Sequence, residues 1–256
     1  MRRLAALVPL ALLTAQGQPG PKPVLVPDVS QRSIRIVYSF TGADLLLFGA
    51  ILYPGGRLPR GERPVDIVVV VKGPTESVLV REKERLAGIW VNADQLRYRS
   101  APSFYAIASS RPIEEIVDDK TRAIYELGLD SLQLSPASNA PSEQQDRFQQ
   151  GLVELKRRVG LYYAAPRAVE ITGGVLYRAR VAIPARVPVG KFTAETFLIQ
   201  KGRVLAAATT TVDIQKAGFE RFVARAAERN SVVYGLTAVA ISVALGWAAG
   251  LAARRL

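Results

Sequence analysis

A long uncharged stretch close to the C-terminus constrains this chain more than any other feature. From Ser231 to Ala253 the sequence contains no Asp, Glu, Lys or Arg. As a helix rising about 1.5 Å per residue, the stretch is longer than the roughly 30 Å hydrocarbon core of a bilayer. Tyr234 and Trp247 lie near its two ends, where aromatic rings settle at headgroup depth. The pattern predicts a single transmembrane helix over residues 231–253, in preference to a buried helix of a soluble protein.

The N-terminus carries a second membrane signal. Two arginines precede an uncharged apolar stretch from Leu4 to Thr14, which is followed by Ala15-Gln16-Gly17. A basic start, a short apolar segment and small residues at a cleavage site are typical of a signal peptide. We therefore expect residues 1–17 to be removed. Residues 18–30, which include four prolines, should form an extended lead into the domain.

The basic residues that flank the predicted helix conflict with this export signal. More of them precede it than follow it: Lys216, Arg221, Arg225 and Arg229 against Arg254 and Arg255. Counting basic residues alone would put the preceding side in the cytoplasm. A signal peptide, however, commits a chain to export before its last helix is made. We therefore expect a single-pass bacterial inner-membrane protein with its bulk in the periplasm and residues 254–256 in the cytoplasm.

Composition removes several classes of function. The chain has no histidine and no cysteine, which excludes Ser-His-Asp triads, thiolate nucleophiles, and zinc or copper sites built on those ligands. We accordingly predict no catalytic, cofactor or metal residues and a non-enzymatic protein. The net charge of +12 comes from scattered basic residues rather than from a basic run. This scattering argues against nucleic-acid binding and favours a domain facing anionic lipid headgroups.

Between the two membrane signals the pattern is predominantly β. Short apolar or alternating runs separated by turns predict strands, and Lys201-Gly202 fits the turn of a two-residue hairpin. A central segment has apolar residues at helical spacing. We predict a mainly β fold: two small, immunoglobulin-like β-sandwich units with an inserted helical pair. The boundaries are residues 31–110 for the first β domain, 111–162 for the helical pair and 163–215 for the second β unit.

The segment just before the predicted membrane helix is amphipathic. Phe219 and Phe222 fall on one side of a helix whose other side carries Arg221 and Arg225. Such a helix lies in the plane of a membrane surface. We expect residues 216–230 to form this juxtamembrane helix.

The most distinctive segment of the β pattern is Gly88-Ile89-Trp90-Val91-Asn92. In a strand, Trp90 and Asn92 share one face. Trp90 fits a ligand platform or a partner anchor, and it fits a core tryptophan of a sandwich better, because aromatic residues dominate such cores. Trp90, Asn92 and Tyr105 are our candidate contact residues for a partner or ligand.

Small residues recur every fourth position along the predicted membrane helix. They are Ala238, Ser242, Gly246 and Gly250. A stripe of this kind lets a second helix approach closely, which would allow a homodimer or a contact with a partner helix. The alternative is that small residues are simply common in membrane spans.

Several short segments give the chain a family resemblance over nearly its whole length. They are Leu47-Phe48-Gly49-Ala50, Lys72-Gly73-Pro74, Gly88-Ile89-Trp90-Val91-Asn92, Pro102-Ser103-Phe104-Tyr105, Gly160-Leu161-Tyr162, Val187-Pro188-Val189-Gly190, Gly218-Phe219-Glu220-Arg221-Phe222, Tyr234-Gly235-Leu236 and Gly246-Trp247. The chain resembles the alphaproteobacterial transmembrane protein family Alph_Pro_TM. The resemblance implies an inner-membrane setting and an association with permeases resembling sulfite exporters. It carries over no activity and no site residue.

Three classes of function remain open on these residues. The one we favour is an accessory or assembly protein of an inner-membrane partner, because tethering raises the local concentration of other proteins in the same membrane. The first alternative is a periplasmic solute-binding or envelope-sensing domain with its ligand near Trp90. The second is an enzyme that uses Ser, Tyr or carboxylate groups.

Overall fold

The computed structural model describes residues 22–36, 41–56, 65–216 and 227–253. The predicted signal peptide, most of the predicted juxtamembrane helix (residues 217–226) and residues 254–256 lie outside these ranges. The strands are β1 Val24–Val29, β2 Ser33–Ile36, β3 Gly42–Leu52, β4 Asp66–Lys72, β5 Thr75–Leu86, β6 Ile89–Pro102, β7 Tyr105–Ser109, β8 Ser135–Pro136, β9 Tyr162–Pro166, β10 Val169–Thr172, β11 Leu176–Pro184, β12 Gly190–Gln200 and β13 Arg203–Lys216. The helices are α1 Ile113–Ile116, α2 Asp119–Tyr125, α3 Ser142–Arg158 and α4 Ser231–Ala253.

The strands form three sheets. Sheet A has the order β1-β3-β11-β10, sheet B the order β2-β13-β12-β4-β7-β9, and sheet C the order β5-β6-β8. Sheets A and B enclose one core, to which sheet A contributes residues such as Leu45 and Val181 and sheet B contributes Val69 and Phe192. The mainly β class predicted from the sequence is confirmed.

The structure differs from the expected pair of separate sandwich units. In sheet A, β3 pairs with β11 from Gly42–Pro184 to Ala50–Leu176. In sheet B, β4 pairs with β12. Strands from both halves of the chain therefore share both sheets. The cause is physical: each half alone would expose the apolar face that the other half covers.

The expected extended lead over residues 18–30 also differs from the structure. Residues Val24–Val29 form β1, which pairs antiparallel with β3, and Leu25 is buried in the sandwich core. Pro27 fits this strand because β1 is an edge strand of sheet A, where a missing N–H can face outward without breaking the ladder.

Helices cover the outer face of sheet B. Val68 and Val70 of β4 pack there against Ile113, Val117 and Leu127 in a second core. Helix α1 ends at Ile116, and the Asp118 side chain then accepts a hydrogen bond from Thr121 N at 2.9 Å and caps a new helix, α2. The third element of this layer is α3, and all three helices lie within residues 111–162, where the sequence predicted a helical pair.

Sheet C is built mainly from one long hairpin, formed by β5 and β6. Its turn residues, Ala87 and Gly88, both have positive φ, at 50° and 90°, as two-residue hairpin turns require. At its base Val80 and Leu96 pack against Phe148 of α3 in a third core. The far end of the hairpin extends beyond that core into solvent.

Helix α4 spans 23 residues without a charged side chain. Its large apolar residues are exposed, from Val232 to Trp247. Among the described residues, no helix is both long enough and apolar enough to cross a membrane. The helix over residues 231–253 is thus confirmed as a helix, whereas its crossing of a membrane stays a prediction.

The contact of β1 with β3 and β11 can be tested at one glycine. A Cβ at Gly49 would lie 2.4 Å from Val26 O and 2.6 Å from the Tyr177 hydroxyl. Gly49→Ala should therefore lower the free energy of unfolding by about 1–3 kcal/mol through overpacking. Gly151 of α3 has open space around its Cβ position, so Gly151→Ala should raise the same quantity by up to about 1 kcal/mol. Denaturant unfolding followed by circular dichroism measures the free energy of unfolding of both variants. If Gly49→Ala and Gly151→Ala change it equally, the placement of β1 against β3 is contradicted.

Candidate functional site

Trp90 and Asn92 lie together on β6 near the turn of the sheet C hairpin. The Trp90 side chain is 68% exposed, and Asn92 is exposed as well. The interpretation of Trp90 as a core residue, which the sequence favoured, is therefore wrong. The physical reason is the length of the hairpin, because the core shared with α3 ends at the level of Val80 and Leu96. No sequence periodicity distinguishes an overhanging hairpin end from a buried strand.

The two faces of this hairpin carry different charges. Trp90 pairs with Arg85, and Asn92 pairs with Lys83. Cross-strand partners share a face, and side chains alternate along a strand, so Arg81 lies on the same face. We call the face of Arg81, Lys83, Arg85 and Trp90 the basic face. It is the outward side, because the alternate residues pack toward α3.

The acidic residues Glu82, Glu84 and Asp94 fall on the other face of the hairpin, and α3 contacts two of them, Glu82 and Asp94. Arg147 of α3 lies 3.0 Å from Glu82 and 3.4 Å from Asp94, measured between its Nη2 and the carboxylate oxygens. Gln144 also donates a hydrogen bond to Asp94. These contacts neutralise acidic charge at the base of the hairpin and leave the basic face without an ion pair among the described residues.

Tyr105, the third candidate contact residue, is fully buried in β7. Its hydroxyl donates a hydrogen bond to Glu126 O at 2.6 Å and accepts one from Gly128 N at 3.1 Å. Burial raises the pKa of this phenol well above its ordinary value. Tyr105 therefore holds the end of α2 against sheet B and has no surface to offer to a ligand or partner in this structure.

A half-buried lysine lies close to Tyr105. Lys72 Nζ is 2.6 Å from Glu126 Oε2 and 3.3 Å from Glu195 Oε2. Burial alone would lower the pKa of Lys72, but the hydrogen bond and charge of Glu126, with the charge of Glu195, outweigh it and raise the pKa. A lysine that acts as a base or nucleophile needs the opposite shift. The arrangement therefore fastens α2 to sheet B and is unsuited to proton abstraction.

The outer face of sheet A is a surface that the sequence reasoning above did not predict. Its exposed side chains are apolar over three adjacent strands: Val24, Val26, Phe48, Leu52 and Leu176. A cavity of about 520 Å³ lies over Val26, Phe48 and Leu176, and its lining also includes Asp28, Thr172 and Arg178. We call these apolar residues the sheet A patch. The sequence of β3 could have indicated this surface. Its run Leu45-Leu46-Leu47-Phe48 puts apolar side chains on both faces of the strand, and therefore on the outer face of the sheet as well.

A second cavity lies beside α3 and has a different character. It measures about 420 Å³ and is lined by polar and charged residues that include Asp130, Asp146, Glu154 and Arg157. The described residues contain no group of three or more acidic side chains placed to hold a metal ion. This cavity is not lined by Trp90 either, so it does not support the ligand site expected there.

The small-residue stripe of α4 is fully accessible. Ala238, Ser242, Gly246 and Gly250 are exposed, and nothing lies within 4 Å of a Cβ placed at either glycine. The predicted helix–helix contact therefore stays a prediction.

Comparison with known families decides the relationship that the sequence suggested. The family model described as "Putative transmembrane protein (Alph_Pro_TM)" matches residues 24–255. The chain belongs to the Alph_Pro_TM family. The match begins at β1 and includes α4, so the sandwich and the C-terminal helix are both parts of what this family shares.

Other comparisons give this Alph_Pro_TM chain little further context. No curated protein matches it. Among solved structures, the sporulation control protein Spo0M of Bacillus subtilis is 9% identical with a TM-score of 0.29, over 82% of this chain and 56% of that one. The N-terminal domain of the Streptococcus gordonii adhesin Sgo0707 is 11% identical with a TM-score of 0.29, over 77% and 34%. The chain thus spans about half of the first of these proteins and a third of the second.

The opposite placements of Tyr105 and Trp90 can be tested with matched substitutions. Tyr105→Phe leaves a buried carbonyl and N–H without their partner and should lower the free energy of unfolding by about 1–3 kcal/mol. Trp90→Phe removes an exposed side chain and should change it by less than about 0.5 kcal/mol. Denaturant unfolding checks both values, and a large loss from Trp90→Phe alone would reverse the two assignments.

The same pair predicts a difference at alkaline pH. Because burial raises the pKa of Tyr105 above its ordinary value of 10, the folded protein keeps a proton that the unfolded chain releases. This contribution is fully present below pH 10 and is lost as pH rises beyond it. Tyr105→Phe should therefore flatten the loss of stability above pH 10, whereas Trp90→Phe should leave its slope unchanged.

Proposed function

We propose that this Alph_Pro_TM protein is a single-pass, non-enzymatic accessory protein of the bacterial inner membrane. In this proposal α4 is the anchor, the sandwich lies in the periplasm, and the sheet A patch binds a protein partner in the same membrane. A permease resembling sulfite exporters is the partner we expect. The observation that carries the proposal is α4, a helix of 23 residues that is apolar on every side and whose large apolar side chains are exposed from Val232 to Trp247.

The side chains of α4 suit a lipid environment. A helix that is apolar all round lies either in a protein core or in a bilayer, and the large side chains of α4 contact no core of the described residues. Two of its polar side chains are satisfied within the helix: Thr237 Oγ1 donates to Val233 O at 2.8 Å, and Ser242 Oγ donates to Ala238 O at 2.9 Å. Internal satisfaction of polar groups is what a hydrocarbon environment requires.

Two findings bear on the anchor from opposite sides. No helix of the described ranges is long and apolar enough to cross a membrane, and this finding stands against the anchor. The family description as a transmembrane protein, the length of α4 and its lack of charge support it. At about 1.5 Å per residue a helix of this length exceeds the roughly 30 Å hydrocarbon core, and length and charge are the two properties that limit insertion.

The sheet A patch supports the recognition of a partner. Monomeric soluble proteins rarely expose a contiguous apolar surface of this kind, and such surfaces mark interaction sites. The patch spans three strands and is concave, with a cavity of about 520 Å³. Beside it Arg178 Nε donates a hydrogen bond to Glu170 Oε2 at 2.8 Å, which gives an apolar centre a polar rim.

The occupant we propose for the patch is a protein from the same membrane. An anchor confines the sandwich to a thin layer next to the bilayer, so that a membrane protein reaches it at a high effective concentration. A weak apolar contact then suffices for a stable complex. The stripe of Ala238, Ser242, Gly246 and Gly250 offers the same partner, or a second copy, a close approach within the bilayer.

The proposal predicts a partner contact at Leu176, which is 56% exposed on the β11 side of the patch. A photo-crosslinking amino acid at Leu176 should give an adduct with one integral membrane protein in living cells. Leu176→Asp should reduce co-purification of that protein from detergent extracts by about tenfold or more, because a charge is placed in an apolar contact.

Val189 provides the matched control, because it is also exposed but lies outside the patch, just before β12. The crosslinker at Val189 should give no such adduct, and Val189→Asp should leave co-purification unchanged. Identical adducts from both positions would contradict recognition through the patch. A small-molecule adduct at Leu176 in place of a protein would favour the solute-binding alternative.

A further inference from the structure

The basic face of the sheet C hairpin is an exposed surface with its own chemistry. It presents Arg81, Lys83 and Arg85 in a row that ends at Trp90 near the turn. We propose that this face docks onto an anionic lipid surface, with Trp90 at headgroup depth. The proposal rests on the membrane anchor proposed above and adds a second, separate contact between the protein and the bilayer.

The charge on this face is segregated by strand alternation. The sequence Arg-Glu-Lys-Glu-Arg from Arg81 to Arg85 is nearly neutral, yet every basic member points to one side and both acidic members to the other. Arg97 extends the row, because it pairs with Leu79 and is exposed on the same side. The result is a ladder of basic side chains with no acidic residue among them. Such a ladder is complementary to a plane of phosphate headgroups.

The end of the hairpin supplies the apolar part of the contact. Trp90 is exposed on the basic face beside the Ala87-Gly88 turn, whereas Leu86 and Ile89, which pair with each other, lie on the opposite face. Leaving the large Trp90 side chain in water costs free energy that a bilayer interface would recover. Tryptophan in particular settles where one end of its ring system is apolar and the other is wet.

The hairpin is held rigidly enough to present this face in one direction. Val80 and Leu96 pack against Phe148 of α3, and Arg147 of α3 binds both Glu82 and Asp94. These contacts fix the acidic side of the hairpin to the helical layer. The basic face points away from α3 and is therefore exposed for contact with a lipid surface.

A lipid surface fits these features better than a protein or a nucleic acid. A single exposed tryptophan gives no stacking series for bases. The basic ladder is linear and open, without the enclosing pocket that a protein anchor residue fills. The anchor also keeps lipid within reach: residues 217–230 separate β13 from α4, and an extended chain of that length spans at most about 50 Å.

The two tryptophans of the chain allow the anchor and the hairpin to be measured separately. Trp247→Phe leaves Trp90 as the only tryptophan, and Trp90→Phe leaves Trp247 in α4. The full chain is inserted into nanodiscs of phosphatidylcholine, with or without phosphatidylglycerol, in which some lipids carry bromine near the headgroup. Bromine quenches tryptophan emission only at close range, so quenching reports contact of each ring with lipid.

We expect Trp247 to be quenched in both lipid mixtures and Trp90 to be quenched only where phosphatidylglycerol is present. High salt should release Trp90 from the lipid and restore its emission, since the Debye length falls to about 3 Å at 1 M salt and screens the basic side chains from the headgroups. The double variant Lys83→Glu with Arg85→Glu should also release Trp90 from the lipid. Each basic residue lost should lower the affinity of the hairpin for the anionic surface by about fivefold or more. Lys120→Glu with Arg186→Glu makes the same change in net charge at exposed positions elsewhere and should leave Trp90 quenched.

Three results would overturn the proposal. If Trp90 is unquenched while Trp247 is quenched, the hairpin does not touch lipid and the anchor stands. If Trp90 is quenched equally without phosphatidylglycerol, or after both charge-reversal pairs, the basic face does not direct the contact. If neither tryptophan is quenched, the anchor and the hairpin contact both fail. Circular dichroism of each variant confirms that its fold is unchanged.

Discussion

The pairing of β4 with β12 and β7 is the contact on which the rest of this fold depends. β4 is buried on both faces, and its side chains alternate between two cores. Val69 and Val71 point into the sandwich core shared with sheet A, and Val68 and Val70 point into the core beneath the helices. A single strand therefore joins three layers. Because β12 lies more than a hundred residues further along the chain, closing this sheet also joins the two halves of the sequence.

The packing of the three layers determines which faces of the sheets are covered and which are exposed. The helices cover the outer face of sheet B, while the outer face of sheet A keeps its apolar patch uncovered. Sheet C is fastened to α3 on its acidic side, so its basic face is open. The polar clusters around Lys72 and Tyr105 are used to hold α2 against the sheet. The sheet A patch and the basic face are thus two surfaces of different chemistry that no described residue covers, and the proposed recognition role rests on them.

Local patterns predicted the elements better than they predicted the way these elements combine. The hairpin at Lys201-Gly202 forms as expected, with both residues at positive φ, because a two-residue turn is specified locally. β1 was missed because the four prolines of residues 18–30 suggested an extended lead, although Pro27, the one that lies in β1, is compatible with an edge strand. The interleaving of the two halves was missed because strand pairing over long separations leaves no periodic signal. Trp90 was placed in the core because the length of a hairpin beyond its support is a property of the assembled fold.

The chain contains no cysteine, so a single introduced cysteine reports its own side of the membrane. Lys201→Cys lies in the exposed β12–β13 turn, and Leu256→Cys lies at the C-terminus. A membrane-impermeant maleimide applied to intact spheroplasts should label Lys201→Cys at once and Leu256→Cys only after lysis, because the proposed anchor puts the sandwich and the C-terminus on opposite sides of the bilayer. Equal labelling of the two cysteines before lysis would contradict an anchor formed by α4.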